Sequence, residues 1–286
     1  MIDLVQFWYL FPISILIATI AMSSGIGGAV FFSPIFILVL KLDPTIAIGV
    51  ALITEFFGFS SGIYAYFKRN LIDFKLGRNL LIFSIPAAIL GVLYADAIPD
   101  VILKAIFAVG LLFIGVQLFS SLKEDEKDKS DEEISEEFAE EYESCLIDSV
   151  GTEYKYTVCN KWMGRIFAFM GGGFVGMISV GLAELQDYHL IARCKVPSPV
   201  AVATSIFVVV ITVMVASVGH IMHFAEAADP EMMNLVLSLI LFTVPGVIIG
   251  GQLGPWLQTK LDEDMTKRGV SVLFIITSII MFSTLI

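Results

Sequence analysis

The sequence predicts an all-α, polytopic membrane protein made of two inverted repeats, each with a glycine-broken helix and three transmembrane helices. Three observations lead to this prediction. Apolar residues make up 57% of the 286 positions and charged residues only 16%, whereas about a quarter of the residues in a soluble domain are charged. A set of small-residue motifs occurs twice in the same order. The basic loops of the two copies also fall at opposite positions.

The apolar segments give the helices. A membrane-crossing helix needs about 20 apolar residues, and we expect six continuous ones at 45–67, 80–94, 101–122, 199–223, 232–254 and 269–286. Two further segments contain glycine clusters, which interrupt helices and are tolerated at membrane depth only against protein or a water-filled cavity. We therefore predict that 7–40 is broken at 23–28 and that 162–184 is broken at 171–176.

The repeat is visible in the motifs that follow each glycine cluster. Pro86 and Gly91 recur as Pro245 and Gly250 with the same spacing. Internal repeats of this kind are typical of transporters whose substrate site lies where the two halves meet. The alternative is two chance runs of apolar helices, since glycine and proline are common in membrane helices.

Basic residues in the loops predict the orientation, because lysine and arginine favour the cytoplasmic side. Residues 68–78 hold four bases, whereas 95–100 hold two acids and no base. In the second copy, 184–199 and 258–268 contain bases, and 225–231 hold three acids and no base. The loops of the second copy therefore fall on the faces opposite to their counterparts, with both termini outside.

The chain divides into a first transmembrane repeat at 1–121, an acidic cytoplasmic linker at 122–160 and a second transmembrane repeat at 161–286. The linker holds fourteen acidic and four basic residues, so most of the net charge of −11 lies there. No polybasic surface for nucleic acid is present. A capping-box pattern and a stripe at Ile134, Phe138, Tyr142 and Leu146 predict a short helix, and Tyr154, Tyr156 and Val158 alternate like a strand. The linker is either a solvated tether or a docking element.

The glycine breaks are the first candidate site. A helix that begins at a break presents unpaired N–H groups and a partial positive charge, and two such ends meeting near the midplane suit a small anion. This makes the glycines of both breaks candidate substrate-binding residues: Gly25, Gly27, Gly28, Gly172 and Gly173. The alternative is that these glycines only allow close helix packing.

Polar side chains inside the apolar segments are the second candidate. Glu55 lies mid-span and Glu184 follows the second break. An ionisable group in a membrane marks a pathway or a paired site, so both are candidates for proton or ion coupling. Glu55 could instead be a hydrogen-bonded neutral acid. Thr204 and Ser205 offer hydroxyl donors to an oxyanion, or bond back to helix carbonyls.

Metal and enzyme chemistry receive less support. Polar side chains crowd one short stretch and keep a metal or cation site open: Glu184, Gln186, Asp187, His189, Arg193 and Cys194. The pair His220 and His223, with Glu226 beyond, more often anchors a helix at the water boundary. The three cysteines have no metal-type spacing. Cys145 and Cys159 could pair, but we interpret all three as structural or incidental, because cytoplasmic thiols usually stay reduced. No nucleophile–base motif appears, so we expect neither an enzyme nor a cofactor.

The strings Gly25-Ile-Gly27-Gly28, with Pro34 beyond, and Ala201-Val-Ala203-Thr204-Ser205 resemble the sulfite exporter TauE/SafE family, also called the 4-toluene sulfonate uptake permeases. The resemblance covers roughly 7–121 and 162–286. It implies a secondary carrier for sulfite, sulfonates, sulfoacetate or related anions, and it adds Pro34 to the candidate site. The first copy departs from the pattern with Val50-Ala51, and the second with the added acid Glu184.

The sequence thus leads us to expect a multi-pass carrier of the cell membrane that moves a small anion by alternating access, with proton coupling as an extension. Its partners would be the anion and the lipid bilayer, and homo-oligomerisation is left open. One rival is a cation or metal carrier using Glu55, Glu184, Asp187 and His189. Another is a membrane receptor or assembly subunit that acts through the linker.

Overall fold

The structure is a computed structural model that describes residues 4–24, 26–95, 97–131, 144–226, 230–258 and 263–283. Most of this part of the chain is helical, as predicted. Gly25 and three residues of the predicted linker helix, Ile134, Phe138 and Tyr142, lie outside the described residues. The fourth, Leu146, lies in a β-strand instead, so the helix was wrongly extended to that residue.

The first half opens with a 3-10 turn, Leu4–Phe7. Its helices are α1 (Leu10–Ser24), α2 (Ala29–Pro34), α3 (Pro44–Lys68), α4 (Phe74–Ala95) and α5 (Asp100–Asp131). α2 continues into a π-helical turn, Ile35–Val39. Pro44 starts α3, where its fixed φ suits the first helical position and its missing N–H is not needed. α5 continues past residue 121, where we expected the linker to begin.

The second half has the same order of elements. Its helices are α6 (Lys161–Ile178), α7 (Leu182–Asp187), α8 (Ser198–Glu226), α9 (Pro230–Gln258) and α10 (Glu263–Ser283). α7 continues into a second π-helical turn, Tyr188–Arg193. Each π turn is followed by a lysine with positive φ, Lys41 at 55° and Lys195 at 51°. The duplicated motifs therefore correspond to a duplicated order of structural elements.

Helix packing also repeats when the halves are exchanged. α1 packs on α9 and its counterpart α6 packs on α4, while α3 packs on α9 and its counterpart α8 packs on α4. Two hydroxyl pairs follow the same rule: Thr54 is 2.9 Å from Thr243, joining α3 to α9, and Ser84 is 2.8 Å from Thr212, joining α4 to α8. Each half is therefore held together largely by helices of the other half.

Counterpart helices in contact run antiparallel. Gly49, near the start of α3, lies against His220 and Phe224, near the end of α8. In α5 and α10, Ser271 donates to the carbonyl of Gly115 and Ser278 donates to that of Ala108, so residue numbers rise in one helix as they fall in the other. Antiparallel counterparts are what an inverted repeat requires.

The first glycine break is a point where the chain turns back. α1 and α3 both run parallel to α9: Gly246 and Gly250 lie against Phe11 and Ile15 of α1, and Val247 lies against Gly58 of α3. Since α1 and α3 point the same way, the chain between them must reverse. α2 and its π turn form the returning arm of a re-entrant segment.

The second break was predicted at the wrong place. α6 continues without interruption through residues 171–176, and the chain breaks instead after Ile178, where Ser179 and Gly181 have φ values of 59° and 111°. The glycines of α6 serve packing: a methyl group at Gly172 would overlap the Ser84 backbone of α4, and one at Gly176 would overlap the carbonyl of Ala88. The packing alternative is therefore the one that the structure supports for this cluster.

The described end of the linker is a docked β-hairpin. Strands β1 (Ser144–Ile147) and β2 (Glu153–Tyr156) pair antiparallel. The Tyr156 hydroxyl donates to Asp73 Oδ2 at 2.8 Å, and the N–H of Ser149 donates to the carbonyl of Arg69. Both partners lie in the loop between α3 and α4. The strand predicted around Tyr154 and Tyr156 is present, and the hairpin rests on the helix bundle.

The outer surface suits a membrane. Four of the described helices, α3, α4, α8 and α9, are long and apolar enough to cross one. Large apolar side chains on five helices are more than half exposed: Leu16, Ile82, Phe113, Leu237 and Ile279. An apolar surface of this extent is not expected of a soluble monomer. The protein is a multi-pass membrane protein.

Candidate functional site

The first break carries a buried carboxylate at the start of a helix. Glu55 lies on α3 and is only 3% exposed. Backbone N–H groups of Gly28 and Ala29, at the start of α2, hydrogen-bond to its carboxylate. N–H groups in the first turn of a helix have no partner within the helix, so Glu55 occupies the place where the sequence led us to expect an external anion.

The second break carries the other carboxylate. Glu184 lies in the first turn of α7, and its Oε2 accepts the N–H of Gly181 at 3.2 Å. Its Oε1 reaches across to the first break and accepts the N–H of Gly27 at 3.3 Å. One side chain therefore connects the broken segments of the two halves.

Glu55 and Glu184 converge on Gly27. A methyl group on Gly27 would lie 2.9 Å from Glu55 Oε1 and 3.6 Å from Glu184 Oε1. Glycine is needed here because the two carboxylates fill the space that a side chain would take. The hydroxyls of Ser33 and Ser179, both buried and 2.7 Å apart, join the same two segments. The structure thus brings together Gly27, Gly28, Glu55 and Glu184 of the predicted site.

Comparison with known proteins matches this architecture to a family. The chain matches the sulfite exporter TauE/SafE family over residues 10–281, which includes both breaks. The chain belongs to this family. Among curated proteins it is similar to the probable membrane transporter protein YunE of Bacillus subtilis (strain 168), with 26% identity over 96% of each chain. The probable membrane transporter protein YjnA of the same organism is 25% identical over 81% of this chain and 84% of its own length. No solved structure is significantly similar.

The family resemblance drawn from the glycine and Thr-Ser strings is therefore confirmed. Membership in the TauE/SafE family indicates a membrane transporter rather than an enzyme. The surroundings of each side chain in the structure indicate what it can contribute.

The two hydroxyl residues of the TauE/SafE string have different surroundings. Thr204 Oγ1 accepts the N–H of Asp73 at 3.0 Å, so it holds the loop between α3 and α4. Ser205 is 1% exposed, and its Oγ has no hydrogen-bond partner among the described residues. Thr204 therefore accepts a hydrogen bond from the protein while its O–H can still donate, and the donor role expected of Thr204 and Ser205 toward an anion stays a prediction.

The remaining predicted site residues that the structure describes lie on α2 and α6. Pro34 is the last residue of α2 and is buried. Gly172 and Gly173 face α4, where a methyl group at Gly173 would meet the carbonyl of Ala87 at 3.8 Å. Gly25 lies outside the described residues. The structure does not bring Gly172 and Gly173 to the second break.

The rival cation ligands are not gathered at one point within the described residues. Asp187 is next to Tyr66, whereas His189 Nε2 lies 3.7 Å from Cys194 Sγ. His220 Nε2 pairs with the carbonyl of Gly176 at 3.1 Å and so fixes α8 to α6. This buried contact joins two helices, whereas the sequence led us to expect the histidine pair to anchor a helix at the water boundary.

The sequence placed Gln186 and Cys194 in a crowded polar stretch, but it did not predict the surroundings of either residue. Gln186 is 2% exposed, and neither polar atom of its side chain has a partner in the described part of the chain. Cys159 forms a disulfide with Cys194, so the pairing with Cys145 that we considered is wrong, and Cys145 is exposed and free. Contacts across 35 residues of chain depend on tertiary structure and leave no local pattern.

Proposed function

We propose that this chain is a secondary carrier of the cell membrane that moves a small sulfur-containing or organic anion, such as sulfite, a sulfonate or sulfoacetate, by alternating access. Membership in the TauE/SafE family supports transport of this kind. The observation that carries the proposal is the double hydrogen bond of Glu184, which joins the N–H groups of Gly27 and Gly181 across the two halves.

The packing supports alternating access between two inverted halves. Counterpart helices run antiparallel, and each half is held by helices of the other. In this account the re-entrant segments tilt together relative to the helices around them, which exposes the point where they meet first to one side and then to the other. Glu184 lies at that point, so its hydrogen bonds form and break as the carrier alternates.

The carboxylates of Glu55 and Glu184 could couple proton binding to anion binding. The N–H groups at the start of α2 are engaged by Glu55, and that of Gly27 by Glu184. An incoming oxyanion needs the same donors, and hydrogen bonds to an ionised acceptor are stronger than those to a neutral one. A carboxylate that takes up a proton therefore holds its donors less firmly and yields them to the anion. Proton binding and anion binding then favour each other.

Ser205 adds a donor of its own in this proposal. Its buried hydroxyl has no partner among the described residues, and a buried polar group without a partner is costly. Binding of an oxyanion would satisfy it.

A ligand-stabilisation screen tests the proposal. The purified protein in detergent is heated with sulfite, methanesulfonate, sulfoacetate or chloride, since a ligand that binds only the folded protein raises its stability by mass action. We expect a concentration-dependent rise in Tm with at least one sulfur oxyanion, and a smaller rise in the Ser205→Ala variant. No rise with any sulfur oxyanion would contradict the proposal.

A cation carrier is the second candidate, because two buried carboxylates meet at Gly27. Carboxylate oxygens are the ligands of hard cations. The same screen with sodium, magnesium and manganese salts separates the candidates. Stabilisation by a cation alone, lost in Glu55→Gln, would favour the cation carrier over the anion carrier.

A further inference from the structure

We propose that Cys159, His189 and Cys194 form a binding site for a zinc-like soft metal ion when the disulfide between the two cysteines is reduced. The Sγ atoms of the cysteines and a ring nitrogen of His189 all lie within 4.8 Å of one another. Two thiolates and an imidazole are ligands that zinc prefers, and three protein ligands leave a fourth position for water.

The distances suit tetrahedral coordination. His189 Nε2 lies 3.7 Å from Cys194 Sγ, and tetrahedral ligands with ordinary zinc–sulfur and zinc–nitrogen lengths are about 3.5 Å apart. The two sulfurs must separate to roughly 3.8 Å to bind the same ion. A rotation of the Cys159 side chain, which lies between β2 and α6 outside regular structure, can supply this separation.

The surroundings of His189 point to a ligand as well. The residue is 2% exposed, and its Nδ1 has no hydrogen-bond partner among the described residues. Phe167 packs on the ring, with 5.6 Å between the centroids, and Gly164 leaves room for Nε2. The nitrogen that faces Cys194 Sγ is the other one, Nε2, so a metal ion would bind there and leave the ring proton on Nδ1. Coordination through Nε2 would hold this imidazole by a polar interaction.

The same three side chains would have two states: one with the disulfide, and one with a metal ion bound to the reduced cysteines. Reduction breaks the S–S bond: a phosphine or dithiol reductant gives two electrons, and two protons complete the thiols. Metal binding then releases those protons, because cysteine coordinates as the thiolate. In the cytoplasm, where the loop charges place this part of the chain, the reduced state is the expected one.

The position of the site gives it a role apart from the proposed carrier site. Cys159 follows the docked hairpin, and Cys194 follows the π turn after α7, which carries Glu184. The disulfide and the metal each tie the linker to the re-entrant segment of the second half, whereas the free dithiol leaves them untied. The metal site does not depend on the identity of the transported anion.

Cobalt titration tests this proposal on the full-length protein in detergent. After reduction and removal of the reductant without oxygen, we expect one equivalent of Co²⁺ to give sulfur-to-cobalt charge-transfer absorption, and Zn²⁺ to displace it. Affinity should fall at least tenfold in Cys159→Ser and His189→Ala and stay unchanged in Cys145→Ser. Loss of the signal in Cys145→Ser, or no signal in the reduced wild type, would overturn the proposal.

A second measurement needs no variant, so it stands even if the variants unfold. The reduced wild-type protein is alkylated with and without Zn²⁺, and the labelled cysteines are identified by mass spectrometry. We expect zinc to protect Cys159 and Cys194 while Cys145 is labelled in both samples. Equal labelling of Cys159 with and without zinc would contradict the site.

Discussion

The carboxylate of Glu184 accepts the backbone N–H of Gly27, 157 residues earlier in the chain, at 3.3 Å. Glu184 belongs to the second half of the molecule and Gly27 to the first, and each lies at a break in its own half. Because the other oxygen of Glu184 accepts the N–H of Gly181, this one side chain holds both breaks in place.

Replacing Glu184 should destabilise the protein. Glu184→Ala removes both acceptors and leaves two buried N–H groups unpaired, which costs about 2–3 kcal/mol. We expect a lower Tm in detergent for this variant. Glu226→Ala is the control, because Glu226 is an exposed carboxylate near the end of α8. Equal Tm values for the two variants would show that the contact with Gly27 contributes nothing to stability.

Gly27 and Gly28 should respond differently to the same substitution. A methyl group at Gly27 would lie 2.9 Å from Glu55 Oε1, which is too close, whereas at Gly28 the nearest atom is Glu55 Cγ at 3.8 Å. We expect Gly27→Ala to displace the carboxylate and reduce transport at least tenfold, and Gly28→Ala to keep most of it. Flux of sulfite in proteoliposomes measures both, and a larger loss in Gly28→Ala would be inconsistent with the site.

Substitutions at Thr204 and Ser205 should have different effects, the first on thermal stability and the second on anion binding. Thr204→Val leaves the half-buried N–H of Asp73 without its acceptor, at a cost of about 1 kcal/mol, so its Tm should fall. Ser205→Ala removes a hydroxyl without a described partner and should leave the Tm unchanged while weakening anion binding several-fold. Calorimetry with the anion that raises the Tm most measures the affinity of the Ser205→Ala variant. Wild-type affinity in Ser205→Ala would exclude its hydroxyl from the site.

The docked hairpin should depend on Tyr156. Tyr156→Phe removes the 2.8 Å bond to Asp73, and we expect about tenfold faster hydrogen exchange of the strand amides at 153–156. Tyr154→Phe is the matched control in the same strand. Burial and the bond to Asp73 raise the pKa of Tyr156, so its contribution is complete at neutral pH and is lost as the pH rises above about 10. Unchanged exchange in Tyr156→Phe would show that the hydroxyl does not hold the hairpin.

The sequence predicted the parts of this architecture that depend on local signals. An acid within an apolar run identified Glu55, and a glycine cluster identified the first break. The same signal failed at the second break, because a glycine cluster is also what close packing requires: a methyl group at Gly172 or Gly176 would overlap the backbone of α4. The true break contains Ser179 at φ 59°, and serine carries no local signal for that conformation.

Contacts between the halves could not be predicted at all. Glu184 was a candidate for coupling, but its bond to Gly27 depends on how the two re-entrant segments meet. The disulfide between Cys159 and Cys194 depends in the same way on the path of the linker over the bundle. The hydrogen bond that the N–H of Asp73 donates to Thr204 is a further case, since it joins the loop between α3 and α4 to α8 of the other half.

In the proposed carrier, Glu55 couples proton binding to anion transport, and the pH dependence of flux in proteoliposomes tests this coupling most directly. Wild type and Glu55→Gln are reconstituted side by side, and sulfite flux is measured across a series of pH values with equal protein content. We expect pH-dependent flux in the wild type and, in Glu55→Gln, a flux that no longer changes with pH. The same pH dependence in both proteins would contradict the account.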